Sequence, residues 1–338
     1  MQVKFWGVRG SIPSSGTVSD VKWKLRAFID IAKKYPETLD DPEEFIKNMP
    51  RHLIYPVGGN TSCLEVNHGQ TRIILDMGSG LRALGAELSS NDSLLQEDDL
   101  FISLNGKSSA EVKQAPGPAL DLTILLSHMH WDHIQGFPFF TPAYAEGNRI
   151  SIYGQDGDQI REALNLQQTA PALFPIPLAG LKADIRCLSL PPGDFELGGL
   201  EISYLPMPHP GGSLAYRLKA DGHTFVYATD YEFPNSNSEE TGEFIKFIEQ
   251  ADILVSDTQY TYLEGIAKEG WGHSTSFGAL ELAMQAGVKN FFLFHHDPDH
   301  SDAKLYDSLD KTIAYYKMMS SNGPMNIELA VEGHIVSP

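Results

Sequence analysis

Short apolar runs, most of them closed by a histidine or an acid, recur along the whole chain. Residues 2–7 form the first, and residues 62–67 and 71–76 flank His68-Gly69-Gln70, the pattern of a strand followed by a hairpin. Leu122-Thr123-Ile124-Leu125-Leu126, Ile150-Ser151-Ile152-Tyr153, residues 202–207, 213–218 and 224–229, Ile253-Leu254-Val255-Ser256 and residues 290–294 predict seven more strands. Several of these runs are apolar without alternation, as expected of strands covered on both faces. Helical spacing predicts helices over 81–88, 157–168, 276–286 and about 302–319. Strands interleaved with helices specify an α/β architecture, and no short repeat suggests a solenoid.

Four segments interrupt this rhythm. Between residues 17 and 56 an insertion carries Val21, Leu25, Phe28, Ala32 and Tyr35 at helical spacing, with Lys22, Arg26 and Lys33 on another face. Asp40-Asp41-Pro42-Glu43-Glu44 then starts a second, short helix, with an aspartate cap and proline in the first turn. The apolar stripe predicts packing on the body of the protein, cover for a site, or a dimer contact. Residues 89–120 are polar and end in Ala115-Pro116-Gly117-Pro118, a long surface excursion to which the sequence assigns no function. Pro138-Phe139-Phe140-Thr141-Pro142 reads as a pocket wall, and Phe174-Pro175-Ile176-Pro177-Leu178 is too rich in proline for a central strand and reads as hydrophobic cover.

The chemistry concentrates after residue 126. Ser127-His128-Met129-His130-Trp131-Asp132-His133 puts three imidazoles and a carboxylate within six residues of a buried strand end. In an extended segment alternate residues point the same way, so His128 and His130 project together. Asp132 and His133 follow where the chain turns. Such a set suits zinc, manganese or iron(II), because imidazole and carboxylate are good ligands for borderline divalent ions. Further along, His209, Asp230, Asp257 and His295 each stand at the end of an apolar run, and Asp76 does so before the helix at 81. Asp76 fits two roles, orienting a metal-bound imidazole or capping the helix.

The H-x-H-x-D-H segment resembles the metallo-β-lactamase superfamily. Phe5-Trp6-Gly7-Val8-Arg9-Gly10-Ser11-Ile12-Pro13, Gly58-Gly59-Asn60-Thr61-Ser62-Cys63, Leu75-Asp76-Met77-Gly78-Ser79-Gly80, Trp271-Gly272-His273-Ser274-Thr275 and Phe294-His295-His296-Asp297-Pro298 resemble its phosphodiesterase and RNase Z branch. The resemblance implies a four-layer αββα sandwich, one domain spanning residues 1–338. It implies two divalent metals, zinc first, with manganese or iron(II) as alternatives. His128, His130 and His209 would hold one metal, Asp132, His133 and His295 the other, with Asp230 bridging. His296 competes with His295 for the last position. Asp132 and Asp230 would hold the attacking water, and His273 would protonate the departing oxygen or stabilise the phosphoryl group. The implied reaction is hydrolysis of small phosphodiesters, cyclic mononucleotides first. RNA cleavage of the RNase Z kind, a lactonase or thioesterase activity, and a sensor that binds metal or nucleotide without turnover are the alternatives. Dimeric relatives and the apolar stripe at 17–56 imply a homodimer.

Composition narrows the choice. A formal net charge of −19 argues against stable nucleic-acid binding but not against a small anion drawn to bound cations. The short span between His209 and Asp230 leaves no room for a tRNA-gripping arm at that point. Two cysteines far apart in sequence, Cys63 and Cys187, fit a reduced cytoplasmic protein. The chain reaches its first strand at once, which argues against a signal peptide, and no apolar run is long enough for a membrane helix.

Overall fold

A computed structural model describes residues 1–36, 40–89, 119–233, 238–319 and 324–338. The chain first lays down β1 (Gln2–Gly7), then α1 (Val18–Lys34), α2 (Pro42–Lys47) and α3 (Arg51–Ile54). The hairpin β2 (Cys63–His68) and β3 (Thr71–Leu75) leads to α4 (Leu81–Ser89). After β4 (Asp121–Leu125) come the one-turn α5 (Trp131–Ile134), β5 (Arg149–Gly154), α6 (Gly157–Gln167) and β6 (Asp184–Ser189). The second half runs β7 (Phe195–Leu197), β8 (Leu200–Met207), β9 (Ser213–Ala220), β10 (His223–Ala228), α7 (Glu239–Phe247), β11 (Ile253–Asp257), α8 (Tyr262–Ala267), α9 (Ser276–Gln285), β12 (Asn290–Phe294), α10 (Asp302–Met319) and β13 (Asn326–Leu329). The short β14 (Ile335–Val336) returns to pair with β1.

The strands form two sheets, ordered β14-β1-β2-β3-β4-β5-β6 and β13-β12-β11-β10-β9-β8-β7. In each, hairpin-connected antiparallel strands join a parallel set: β3-β4-β5-β6 in one and β10-β11-β12-β13 in the other. Strand alternation explains how each sheet serves two cores. Phe5, Leu64, Ile73 and Leu75 face the second sheet and meet Tyr216, Phe225 and Phe294 in the central core. Ile74, Ile124 and Ile152 face the other way, onto Leu81 and Leu84 of α4 and Ile160 and Leu164 of α6. On the far side, Ala279, Leu280 and Ala283 of α9 and Leu305 of α10 cover the second sheet. The result is the expected αββα order of layers. Among the described residues no helix is long and apolar enough to cross a membrane.

The insertion folds as a helical annex. A capping box between Thr17 and Asp20 starts α1, and Asp41 with Pro42 starts α2 as the sequence predicts. The packing face of α1 differs from the expected stripe. Trp23 stacks on Tyr306 of α10, Lys24 Nζ lies 2.9 Å from Asp302 Oδ2, and Phe28 meets Phe45 edge to face. Val21, Leu25 and Tyr35, expected on that stripe, are exposed instead. The excursion at 89–120 lies, apart from its ends, outside the described residues. Of the supposed pocket wall at 138–142, Phe140 and Pro142 are buried, Phe140 in the outer core beside α4, and Phe139 stays exposed.

Candidate metal centre

One edge of the sandwich gathers the ends of β3, β4, β8, β10, β11 and β12, and with them Asp76, the 127–133 segment, His209, Asp230, Asp257 and His295. Asp76, Asp230 and His295 turn into the left-handed region there, at φ of 62°, 56° and 61°. That conformation is uncommon for residues with side chains and breaks the strand abruptly, aiming each side chain into the edge.

Among the described residues the side chains meet in three overlapping groups, one of them Asp230, Asp257, His273 and His295 toward the rim; the other two are joined by the carboxylate of Asp230. His128, His130, His209 and Asp230 offer ligand-type atoms all within 4.8 Å of one another, and so do Asp132, His133 and His295. In the first group His209 Nε2 lies 3.1 Å from His130 Nδ1, while Asp230 Oδ1 lies 3.7 Å from His128 Nε2 and 3.6 Å from His209 Nε2. In the second, His295 Nε2 lies 3.3 Å from His133 Nε2 and 3.2 Å from Asp132 Oδ2. The other oxygen of Asp230, Oδ2, lies 3.2 Å from both His133 Nε2 and His295 Nε2. Asp230 therefore presents one oxygen to each of these two groups.

Outer contacts fix how each ring points. His133 Nδ1 donates to Asp76 Oδ2 at 2.7 Å, and Asp76 also accepts from Ser127 N, Ser127 Oγ and Tyr227 Oη. Asp76 is thus an orienting residue; among the described residues its side-chain bonds go to Ser127, His133 and Tyr227, and none caps α4. His209 Nδ1 donates to Gly272 O at 2.8 Å, and Glu232 holds that loop by accepting from Gly270 N and Gly272 N. Ser127 Oγ lies 3.1 Å from His128 Nδ1, and Ser11 N donates to Asp132 Oδ2 at 2.7 Å. With Nδ1–H of His133 and His209 given outward, their Nε2 lone pairs face inward, toward carboxylate oxygens. His128 Nε2 is buried there with no hydrogen-bond partner among the described residues. Lone pairs and anions converging in a buried space repel one another unless positive charge lies between them. The donor set therefore fits divalent metal.

The titration behaviour follows the same charge pattern. Burial pushes the Asp132 carboxyl up, but His133 and His295 outweigh it and hold it well below the usual range. Burial opposes charge on His133 too, and Asp132, Asp230 and Asp76 raise it well above the usual imidazole value. His295 rises to about 10 despite burial, chiefly through Asp230 and Asp132. His128, buried and beside His133, is driven well down.

His273 sits at the rim of this cluster. Its ring stacks on that of His295 with centroids 5.1 Å apart, and its Nδ1 donates to Asp257 Oδ2 at 2.9 Å. Asp257 is the site residue to which the sequence reading gave no role. Fully buried, it also accepts from Asp230 N, Gln259 N and Ser274 N and lies 3.3 Å from His295 Nδ1. Its signal was present, an acid closing an apolar run like those before Asp76 and Asp230, but a lone acid at a strand end reads equally as a turn former. His296 points elsewhere: Nε2 donates to Ala330 O at 2.9 Å, and burial, then Arg9, holds the ring down at about 3. Of the pair, His295 alone faces the cluster.

Two seven-stranded sheets between helices, with histidines and aspartates at one edge, define the metallo-β-lactamase fold. Residues 103–296, more than half of the chain, match the Beta-lactamase superfamily domain, and the chain belongs to that superfamily. It is 25% identical over 236 residues to the ribonuclease Z of Picrophilus torridus, covering 56% of this chain and 73% of that one. The crystal structure of YhfI from Bacillus subtilis superposes with a TM-score of 0.58 at 19% identity, over 99% of this chain and 98% of that one. Unliganded yeast PDE1 superposes with a TM-score of 0.57 at 15% identity, over 81% and 94%. At such identities the structural likeness is one of fold.

Proposed function

We propose that the protein is a dinuclear metal-dependent hydrolase of small phosphodiesters, with cyclic mononucleotides as the first substrates to test. The observation that carries this reading is the carboxylate of Asp230, one oxygen facing His128, His130 and His209, the other facing His133 and His295. In this reading His128, His130 and His209 would hold one cation and Asp132, His133 and His295 a second, zinc before manganese or iron(II), with Asp230 contributing to both. Two such ions supply Lewis-acid neutralisation of the phosphoryl oxygens and activation of water. Asp132 and Asp230 accept hydrogen bonds from the attacking water and orient it. Asp257 accepts from Nδ1–H of His273 and fixes the ring, leaving Nε2 free to hand a proton to the departing oxygen. An alkoxide leaving group needs that proton near neutral pH. The free cysteines, Cys63 buried and Cys187 half-buried, support a reducing, cytoplasmic setting.

The match to ribonuclease Z supports a second reading, cleavage of RNA at the same centre. Elemental analysis of protein purified without chelator, with a substrate panel, tests both. The expected stoichiometry is two divalent ions per chain, with turnover of a chromogenic phosphodiester and a cyclic nucleotide. Asp230→Asn is expected to lose more metal than loss of any other single ligand. Full activity at one ion or fewer would defeat the dinuclear reading.

A further inference from the structure

Beside the first group of histidines lies a cavity of about 220 Å³, walled by Ser127, His128 and His130 on one side and by the β5–α6 corner on the other. Leu126, Met129 and Ile160 give it apolar surface, and Gln155 and Gln159 bring two carboxamides. Neither carboxamide has a hydrogen-bond partner among the described residues. Gly211 and Gly212, at φ of 87° and 82°, close the rim without side chains. A Cβ on Gly211 would lie 3.7 Å from His130 Nε2, and one on Gly212 would lie 3.9 Å from Gln155 Oε1. The glycines thus leave the cavity open between the histidines and the glutamines.

We propose that this cavity is a nucleobase subsite, in which Gln155 and Gln159 read the polar edge of the base of a nucleotide whose phosphate lies at the metal centre. The inference rests on the phosphodiesterase reading for the position of that phosphate. Three features select this ligand class. The volume is below the roughly 300–1,000 Å³ of pockets for larger ligands, which suits one ring system and not a length of polynucleotide. Apolar walls with a few unpaired polar groups suit a flat ring that carries donors and acceptors on its edge. A carboxamide offers an acceptor and a donor side by side, the complement of adjacent groups on a base edge.

Calorimetric titration of the metal-loaded protein tests this, with the four ribonucleoside 5′-monophosphates compared against ribose 5-phosphate. Hydrolysis of bis(p-nitrophenyl) phosphate, which has no base, is measured alongside and reports separately on the reaction. At least one nucleotide is expected to bind roughly tenfold or more tighter than ribose 5-phosphate, in line with a paired amide–base contact. Gln155→Leu and Gln159→Leu, both at exposed positions, are expected to bring that ratio down toward one. Equal binding of all five ligands, or no binding of any, overturns the subsite even where the diester is cleaved. A preference that survives both substitutions overturns it too. Failure of diester hydrolysis with an intact, glutamine-dependent preference would instead overturn the reaction reading and leave the subsite standing.

Discussion

Gly10 carries no side chain because the ring of His295 occupies that place: a Cβ there would lie 2.5 Å from His295 Cε1 and 2.6 Å from its Nδ1. Such a contact forces the imidazole to move. Under the proposed dinuclear reading, Gly10→Ala is therefore expected to weaken binding of the metal that His295 would hold by about 10–100-fold, the usual effect of disturbing a ligand's support. An unchanged stoichiometry and affinity would show that His295 holds nothing. At His273 the informative change removes a ring and forces nothing into the site, so it is a cleaner probe. His273→Ala is expected to keep the metal content and lose about 10²–10⁴-fold in turnover of diesters with alkoxide leaving groups. Nitrophenyl diesters, whose leaving group needs little protonation, should lose less, and equal losses on the two substrate types would remove His273 from the leaving-group role. At this scale the sequence was informative where ligands crowd together. His128, His130, Asp132 and His133 announce themselves within six residues, whereas Asp257, Glu232 and Ser11 act through contacts with distant segments that only the folded edge brings together.

Among the elements, the long buried strands and the helices after them were legible because their apolar period is unbroken. The edge strand β6 was not: its alternation is confined to Asp184–Cys187, and its apolar residues are only half-buried, so the run is too short and weak to mark it. The three-residue β7 and two-residue β14 are too short to carry a period, and both are defined by their partners. For α1 the period was read, and the role of its apolar stripe was left open between packing on the body, cover for a site and a dimer contact. Trp23, Lys24 and the buried Asp20 face the body, an amphipathic choice that hydrophobicity alone assigns to the opposite side. Val18, Val21, Leu25 and Ile29 remain more than half exposed on one face. A second copy of the chain offers the same stripe, and two such stripes are self-complementary in a two-fold contact. We propose that α1 forms part of a homodimer interface. Light scattering is expected to give twice the chain mass, and Val21→Glu with Leu25→Glu to give a folded monomer. A monomeric unmutated protein would end this reading.

For the whole molecule, the α/β architecture followed from the order of strands and helices and the sandwich from the resemblance that the histidine motif carries, while the sheet order, with β14 returning beside β1, depends on pairings between distant segments that periodicity does not encode. Net charge, by contrast, is read directly from the sequence, and it bears on the remaining choice of substrate. A chain at −19 repels a polyanion over the Debye length, and the exposed Lys22, Arg26 and Lys33 of α1 are a small offset to that. A tRNA processor must grip its substrate through many phosphates, and each contact releases counterions. Its affinity then falls about 10³–10⁵-fold between roughly 50 and 200 mM salt for six to ten contacts. A small diester engages the centre through one phosphate and should respond weakly. We therefore expect kcat/KM for a cyclic mononucleotide to change by less than about tenfold over that salt range, with no processing of folded tRNA. The measurement is a pair of salt titrations on one metal-loaded preparation, one with each substrate. Efficient, steeply salt-dependent cleavage at a tRNA 3′ end, with cyclic nucleotides untouched, would transfer the centre to RNA, and would require the basic side chains of α1 or another local cluster to overcome the repulsion of the rest.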